Sequence, residues 1–344
     1  MTSTPSGRMR RVVVSPDQID VVEAEVPRPG DGEALVQTVL AGVCGSDTHA
    51  AAGHHPFVGL PYRPGHEVVG VVRAVGGGVD AVQPGDRVTV EPTLPCWQCK
   101  MCRTGRSNLC ENLQFFGCGW EQGGMADYFT LPAHRLHPVP DGVTDLDATL
   151  IEPLSAPVHA VRLAGDLTGA AVAVIGCGTI GLLMLAAVRR AGARAVVMTD
   201  PLAPKRDRAL RLGADAVVDA GAPDAVARVR SALGESADVV FDCVANRSTV
   251  PQAVAMALKA GTVVVVGVPS GDVEVPLALV QDQQVRVQGS ATDLPQDIAV
   301  ATAMVAAGEV RAADLVTAQF PFAEVAAAFA ASAFGAHVKV VLRA

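Results

Sequence analysis

The stretch AVAVIGCGTIGLLMLAAVRRAGARAVVMTD, residues 171–200, combines an apolar run, a glycine-rich turn and a segment with helical spacing. Its turn, GCGTIG at residues 176–181, has the form G-x-G-x-x-G and lies between a predicted strand and a predicted helix. Glycines in such a turn let a pyrophosphate approach the helix N-terminus closely. The motif by itself is a weak signal, but in this context it predicts a dinucleotide site. The alternative is a glycine-bearing turn that binds no nucleotide.

Further candidate residues surround this turn. Asp200 ends the second strand, where a carboxylate hydrogen-bonds the adenosine ribose and repels a 2′-phosphate, so NAD is expected rather than NADP. Lys205 follows closely and weakens this selection, because its ammonium is able to reach the ribose or a phosphate. The candidate nucleotide contacts are Gly176, Gly178, Thr179, Gly181, Asp200, Lys205 and Gly267.

Strands and helices alternate through the whole region around the turn. The predicted strands are 171–175, 195–199, 216–218, 239–242, 263–266 and 285–287, and helical spacing occupies 180–191 and 204–212. Six strands joined by crossover helices predict a doubly wound parallel sheet, an α/β fold.

The region before residue 150 has a different pattern. Short alternating runs lie at 11–14, 34–39, 67–75 and 87–90, with turn signals such as PGDG at 29–32 between them. Short runs separated by such turns predict an antiparallel, barrel-like β domain.

The end of the chain returns to a mixed pattern. Helical segments are predicted at 295–307 and 322–333, and a strand is predicted at 338–342. The simplest partner for this closing strand is the N-terminal β domain.

Composition excludes several classes of function. Half of the 344 residues are apolar, and the net charge is −8 without a basic stripe, which argues against nucleic acid and anionic membranes as partners. Residues 1–11 lack the apolar segment of a signal peptide, and no apolar run is long enough to span a bilayer. A cytoplasmic protein with reduced thiols is therefore expected.

Four of the eight cysteines are crowded into one short segment. Cys96, Cys99, Cys102 and Cys110 lie within residues 96–110. Four thiolates close a tetrahedral zinc shell and leave no open position, which indicates a structural site. Two alternatives remain: an iron–sulfur cluster, which also takes four cysteines, and four unrelated buried thiols.

A second metal constellation combines three ligand types. Cys44, His66 and Glu67 offer a thiolate, an imidazole and a carboxylate, and three protein ligands with an open place describe a catalytic zinc. Such a zinc acts as a Lewis acid on a substrate oxygen and lowers its pKa. Asp47 is expected to hold the other nitrogen of His66. A lone cysteine or histidine, by contrast, is more often a core residue.

Three further polar residues lie near these ligands in the sequence or at the predicted junction of the two domains. Ser46 and His49 are candidates for carrying the alcohol proton to solvent, although such residues also commonly cap turns. Glu152 is either an exposed carboxylate at a helix start or a residue that faces the metal.

Several motifs together resemble the zinc-dependent medium-chain alcohol dehydrogenase family. Residues 65–79 match its signature, GHE-x2-G-x5-G-x2-V, and the cysteine segment, GGMADY at 123–128 and the glycine turn follow in the family's order. The resemblance covers essentially the whole chain. It implies a GroES-like β-barrel catalytic domain and a doubly wound Rossmann coenzyme domain.

The resemblance also implies domain bounds and an oligomeric state. The catalytic domain is expected at 1–155, with a four-cysteine lobe at about 92–112, the NAD-binding domain at 156–292, and a return to the catalytic domain at 293–344. The two ligand constellations predict two zinc ions per chain, one catalytic and one structural, and Asp200 predicts NAD. The resemblance implies a homodimer or homotetramer, and Ile180, Asp200 and Lys205 match nucleotide-contact positions of the family.

The segment IEPL at 151–154 resembles the polyol (sorbitol) and threonine dehydrogenase branch. This likeness implies Cys44 and His66 as catalytic zinc ligands, with Glu67 and Glu152 exchanging or sharing the remaining role. The expected reaction moves a hydride between NAD and a secondary alcohol, of the polyol, cyclitol or amino alcohol kind, to give the ketone. The alternatives are an NAD(P)H-dependent ketone reductase in biosynthesis and a non-catalytic NAD-binding protein on the same fold.

Two departures from the branch bear on the substrate. Ala50 stands where sorbitol-type members carry a tyrosine, and Thr292 lies near the position of an arginine used toward substrate hydroxyls. Trp120, Phe116 and Phe57 are candidates for a more apolar pocket, or else for ordinary packing.

Overall fold

The computed structural model describes residues 5–333 and 335–344, so the first four residues of the segment 1–11 lie outside the described residues. Its strands are β1 (Arg8–Val14), β2 (Ile19–Glu25), β3 (Glu33–Val43), β4 (Glu67–Val75), β5 (Arg87–Val90), β6 (Thr93–Leu94), β7 (Gln114–Phe115), β8 (Tyr128–Pro132), β9 (Leu136–Pro138), β10 (Ala171–Ile175), β11 (Ala195–Asp200), β12 (Ala216–Asp219), β13 (Ala237–Asp242), β14 (Ala257–Val265), β15 (Arg286–Gly289), β16 (Val316–Pro321) and β17 (Lys339–Arg343).

The helices alternate with these strands. They are α1 (Gly45–Ala51), α2 (Lys100–Arg103), α3 (Asp145–Ala148), α4 (Ile151–Ala164), α5 (Thr179–Arg190), α6 (Ala203–Arg211), α7 (Ala225–Leu233), α8 (Thr249–Met256), α9 (Leu277–Asp282), α10 (Pro295–Ala306), α11 (Ala312–Leu315) and α12 (Val325–Ala333). Within the described part of the chain, no helix is both long and apolar enough to cross a membrane.

The chain divides into two units. One comprises the chain up to Glu152 together with Leu294–Ala344, and the other comprises Pro153–Asp293.

The unit Pro153–Asp293 contains a parallel sheet of order β12-β11-β10-β13-β14-β15. This order, with crossover helices, is that of a doubly wound dinucleotide-binding fold, so the predicted α/β sheet is confirmed. Strand β10 is buried at every position, which explains why it reads as a continuous apolar run rather than an alternating one. The helices α7, α8 and α9 lie in segments for which the sequence analysis assigned no helix.

The other unit contains a sheet of order β16-β17-β3-β4-β5-β9, with β8 also paired to β3. Its pairs are antiparallel, as predicted, except for β16 and β17, which run parallel. The reason for this difference is α12, which connects β16 to β17 as a crossover helix. Strand β17 pairs with β3, so the closing strand returns to the β domain as expected.

Three strand ends meet at one place in this sheet. The register pairs Gly42 with Glu67 and Val43 with Val340. The last residues of β3 therefore lie between the first residues of β4 and of β17. This arrangement brings Cys44, which follows β3, beside the residues at the start of both neighbouring strands.

Candidate metal centres and nucleotide site

Three potential metal ligands converge at these strand ends. One ligand atom from each of Cys44, His66 and Glu67 lies within 4.8 Å of the others. Gly65, just before His66, has φ +106°, and a Cβ there would stand 2.3 Å from the Met125 amide nitrogen, so this approach requires glycine. We call these three residues the Cys44 cluster.

The surroundings of His66 fit a bound metal. The ring is buried, packs edge-on against Phe115 at 5.5 Å, and its Nδ1 has no hydrogen-bond partner among the described residues. Burial by itself lowers the pKa of His66, but the negative charges of Asp47 and Cys44 outweigh it and raise that pKa well above its usual value. A thiol, an imidazole and a carboxylate around a buried, unsatisfied nitrogen form a donor set that zinc accepts.

Asp47 has a different role from the expected one. Its carboxylate accepts hydrogen bonds from the Cys44 backbone N–H at 3.0 Å and the Tyr62 hydroxyl at 3.4 Å. No hydrogen bond from His66 to Asp47 is found in the described residues, so the prediction that Asp47 holds the ring is corrected. As the third residue of α1, Asp47 bonds back to the N-cap residue instead, and only its charge acts on His66.

Glu67 has a partner that the sequence analysis missed. Its carboxylate forms an ion pair with the ammonium of Lys339, and both side chains are only 2% exposed. Lys339 also donates to the Val43 carbonyl oxygen at 3.2 Å. Burial by itself lowers the pKa of Lys339, but the negative charges of Glu67 and Cys44 raise it by more, so the pKa lies above its usual value. A lysine at the start of a short strand is usually solvent-exposed, so the sequence held no signal for this contact.

Glu152 is buried at the start of α4, with 8% of its surface exposed, so the exposed alternative is wrong. Burial raises its pKa to about 7, and the charges of Glu67 and Asp47 act in the same direction. Glu152 is not part of the Cys44 cluster, yet it is close enough for the charge of His66 to lower its pKa.

The two candidate proton carriers lie on α1. Ser46 is half-buried and His49 is exposed, which is the order needed for a path from a buried site toward solvent. His55, to which no role was assigned from the sequence, lies near them: burial lowers its pKa, and the charges of His49 and His66 lower it further.

The four cysteines of the lobe form a second cluster. Their sulfurs all lie within 4.8 Å of one another, and Cys99 Sγ is 3.5 Å from Cys102 Sγ and 3.9 Å from Cys110 Sγ. Zinc–sulfur bonds of about 2.3 Å in a tetrahedron give sulfur–sulfur distances of about 3.8 Å, so the spacing fits zinc. The backbone amides of Gln98 and Cys99 lower the pKa of Cys96 to about 6, which favours the thiolate.

A buried charged group supports the lobe and was not foreseen. Arg135 and Glu91, each 1% exposed, form an ion pair, and Glu91 also accepts from Thr93 at 3.1 Å. The Arg135 guanidinium lies 5.0 Å from the ring centroid of Trp97, inside the cysteine loop. The loop is thus connected to the β domain by a cation–π contact.

The glycine turn has the geometry of a nucleotide cradle. Gly176 follows β10 with φ +98°, and Gly181 packs so closely that a Cβ would stand 1.8 Å from the Gly176 carbonyl oxygen. A Cβ at Gly178, the N-cap of α5, would meet nothing within 4 Å, which leaves open space at the helix N-terminus. Tight turn, close packing and an open N-terminus are the three features that a pyrophosphate site needs.

Asp200 ends β11 and is nearly buried. Its carboxylate accepts from the backbone N–H groups of Cys177 at 2.9 Å and Leu202 at 2.8 Å, so it anchors the glycine turn. Arg206, which sequence reasoning missed, donates to the Asp200 carbonyl oxygen at 2.7 Å. Lys205 beside it is half-buried.

The remaining candidates separate into several groups. Thr179 and Ile180 form the first turn of α5, and Gly267 is needed for close packing, since a Cβ there would stand 2.6 Å from the Val244 backbone. Phe116 is fully buried in the core against Trp120, which is ordinary packing, and Phe57 is 83% exposed.

Comparison with known families identifies two matching segments. Residues 30–141 match the family described as alcohol dehydrogenase GroES-like domain, and residues 179–307 match zinc-binding dehydrogenase. The L-galactonate-5-dehydrogenase of Escherichia coli (strain K12) is 33% identical over 312 residues, 90% of this chain and 91% of the relative. The sorbitol dehydrogenase of Ovis aries is 33% identical over 337 residues, 96% of this chain and 95% of the relative.

Solved structures share the fold over nearly the whole chain. The short chain alcohol dehydrogenase (rspB) from E. coli CFT073, complexed with NADH, superposes with a TM-score of 0.91 at 28% identity and covers 98% of this chain and 99% of its own. A zinc-binding dehydrogenase from Sinorhizobium meliloti 1021, bound to NADP, has a TM-score of 0.91 at 31% identity and covers 98% and 100%.

Proposed function

The chain belongs to the zinc-dependent medium-chain alcohol dehydrogenase family, and we propose that it oxidises a secondary alcohol to a ketone with NAD. The observation that carries this proposal is the Cys44 cluster, in which three ligand types meet within 4.8 Å. Three protein ligands leave a place for a substrate oxygen, as a catalytic zinc site requires. A non-catalytic protein on this fold has no need of such a set.

The residues in and near the Cys44 cluster have different proposed roles. Cys44, His66 and Glu67 would hold a zinc ion, which supplies Lewis acidity to the substrate oxygen, while NAD supplies the hydride acceptor. Ser46, half-buried, would accept the proton of the alcohol as it gives up its own hydroxyl proton, and His49, exposed on the same helix, would pass a proton to solvent.

A second zinc ion is proposed for the four-cysteine lobe. The sulfur spacing of 3.5–3.9 Å supports it, and four thiolates leave no place for substrate. Elemental analysis of freshly purified protein is expected to find two zinc ions per chain. A single zinc ion, or iron, would contradict this assignment.

The unit Pro153–Asp293 is proposed as the coenzyme domain, with NAD preferred over NADP. The carboxylate of Asp200 at the end of β11 supports this preference, because it would repel a 2′-phosphate. Lys205 and Arg206 nearby are the groups through which some NADP binding would persist. Asp200→Asn is expected to lower the ratio of kcat/KM with NAD to kcat/KM with NADP. A wild-type enzyme that prefers NADP would contradict the argument.

A homodimer or homotetramer in the cytoplasm is the proposed setting. Strand β15 is an edge of the parallel sheet with Val287 39% exposed, which leaves an edge available for a second copy. All eight cysteines are free, as in a reducing compartment.

The substrate class is proposed as polyols, cyclitols and related secondary alcohols. The named relatives are a sorbitol dehydrogenase and an L-galactonate-5-dehydrogenase. Ala50 is smaller than the tyrosine of sorbitol-type members, so the substrate need not be sorbitol itself. A panel of secondary alcohols, polyols and amino alcohols with NAD, read at the NADH absorbance and run in both directions, tests the proposal. Zinc-loaded protein without turnover in either direction would overturn it.

A further inference from the structure

The Glu67–Lys339 pair crosses a strand to reach its position. Glu67 lies on β4 and Lys339 on β17, and β3 runs between them. The two side chains meet over Gly42 of β3, where a Cβ would stand 2.0 Å from Glu67 Oε2 and 2.9 Å from Lys339 Cε. The absence of a side chain at residue 42 therefore provides the space in which the pair forms.

A buried ion pair of this kind is an inefficient way to stabilise a fold. Removing an ammonium and a carboxylate from water costs free energy that their attraction only partly offsets, and an apolar pair of similar volume often stabilises a fold as well or better. Here the pair is 2% exposed on both sides and touches a member of the Cys44 cluster. Its position next to candidate metal ligands points to a role in the site rather than in stability.

The contact acts on one oxygen of Glu67. Lys339 is bonded to Oε2 and to the Val43 carbonyl, which fixes the ammonium in place. The ammonium therefore occupies one side of Oε2, and its positive charge withdraws electron density from the carboxylate. Partners of this kind orient a ligand and tune its donor strength.

We propose that Lys339 is a positioning residue that holds the Glu67 carboxylate and keeps it a weak metal ligand, so that Glu67 is the ligand that yields when the alcohol binds. This inference rests on the proposed function. Of the two glutamates near the metal site, it is Glu67, paired with Lys339 across β3, that leaves the metal when the alcohol binds. Glu152, at the start of α4, does not take this role. Without Lys339, Glu67 binds the metal more strongly and competes with the substrate for its place.

The test replaces Lys339 by methionine in protein whose cluster is loaded with Co²⁺, because the visible absorption of Co²⁺ reports its ligands. Lys339→Met is expected to shift the visible bands, to retain the metal against a chelator at least as well as wild type, and to raise KM for the alcohol about tenfold, since about 1.4 kcal/mol of competition is tenfold. Unchanged bands would overturn the proposal. Lys259→Met, an exposed lysine in the other unit, is the matched control and should behave as wild type.

The double variant separates positioning from simple support of the fold. In Glu67→Gln protein, the further change Lys339→Met should alter neither the bands nor KM, because the carboxylate it restrains is gone. Equal effects in both backgrounds would show that Lys339 is only structural. Where Lys339→Met does not fold, Gly42→Ala disturbs the pair but keeps both charges, and wild-type bands in that variant would also overturn the proposal.

The spectra do not depend on turnover. If no alcohol in the panel is oxidised, the proposed function fails while the Co²⁺ bands still report whether Lys339 controls the ligand. If turnover is present and the bands do not move, only the inference about Lys339 fails.

Discussion

The two clusters of metal-ligand residues in this chain are assembled in opposite ways. The lobe takes four identical ligands from residues 96–110, and its own backbone amides bond to the sulfurs. The Cys44 cluster takes three different ligands from positions 44, 66 and 67, where β3 ends and β4 begins. Its ligands are surrounded by further charged groups, among them Asp47, Lys339 and Glu152.

Each way of assembling the ligands suits the task of its site. Ligands close in sequence are gathered by local turns into a shell that closes on itself, and a closed shell stabilises the segment that provides it. Ligands drawn from the ends of two paired strands depend on the sheet, leave one place open, and require neighbouring charges to balance the buried ones.

The largest expected effect is on turnover. Cys44→Ala removes a ligand from the open site and is expected to reduce kcat/KM by at least about a thousand-fold, because Lewis-acid stabilisation is worth several kcal/mol and about 1.4 kcal/mol is tenfold. Assays at the NADH absorbance measure the loss, and circular dichroism should show the fold intact. A melting temperature that falls as far as in the lobe variant below would break the contrast.

The lobe should respond in stability instead. Cys99→Ala opens the closed shell, and a loss of about 4 kcal/mol is expected, a fall in Tm of about 10 °C. Zinc content should fall by one ion per chain, while the correctly folded fraction keeps its kcat. Thermal unfolding with parallel zinc analysis measures both, and a lost kcat without a change in Tm would contradict a structural role.

The burial of Glu152 near the Cys44 cluster predicts a pH dependence of stability in protein without metal at that cluster. The pKa of Glu152 is raised from 4.5 to about 7, so its protonated form is favoured in the folded state. The stabilisation is complete below about pH 4.5 and is lost as the pH rises through 7, by no more than about 3 kcal/mol. Protein without metal in the Cys44 cluster should lose stability over this range, and Glu152→Gln should lose less. Identical pH profiles of Tm would contradict the assignment.

The smallest effect concerns the support of the lobe. Trp97 has φ +58° and is 53% exposed, with Arg135 over its ring. Trp97→Leu keeps the same backbone strain and removes only the cation–π contact, so a loss of about 0.5–1 kcal/mol is expected without a change in kcat. Chemical denaturation measures it, and Leu109→Ala, another exposed apolar residue of the lobe, is the control. Reduced turnover in Trp97→Leu would show that the lobe also serves the chemistry.

Local patterns were sufficient for much of the fold. The glycine turn, the six parallel strands and the Cys96–Cys110 spacing each depend on residues near one another in sequence, and for such features periodicity and turn chemistry carry the information. The parallel pair β16 and β17 was missed, because a crossover through α12 is a property of the connection rather than of either strand.

The candidate site combines features that local sequence predicts with features that it does not. Residue types and their spacing along the chain indicated which groups meet a metal and a dinucleotide, because thiols, imidazoles, carboxylates and glycine turns have recognisable patterns. The bond from the Cys44 N–H to Asp47 joins residues three apart at the start of α1, so it is a local capping contact. The pairing of Glu67 with Lys339 across Gly42, by contrast, depends on the tertiary structure. Hydrogen bonds and buried ion pairs between distant strands depend on register and on the space left by neighbours, and residues 272 positions apart in the chain leave no mark of their meeting in either local sequence.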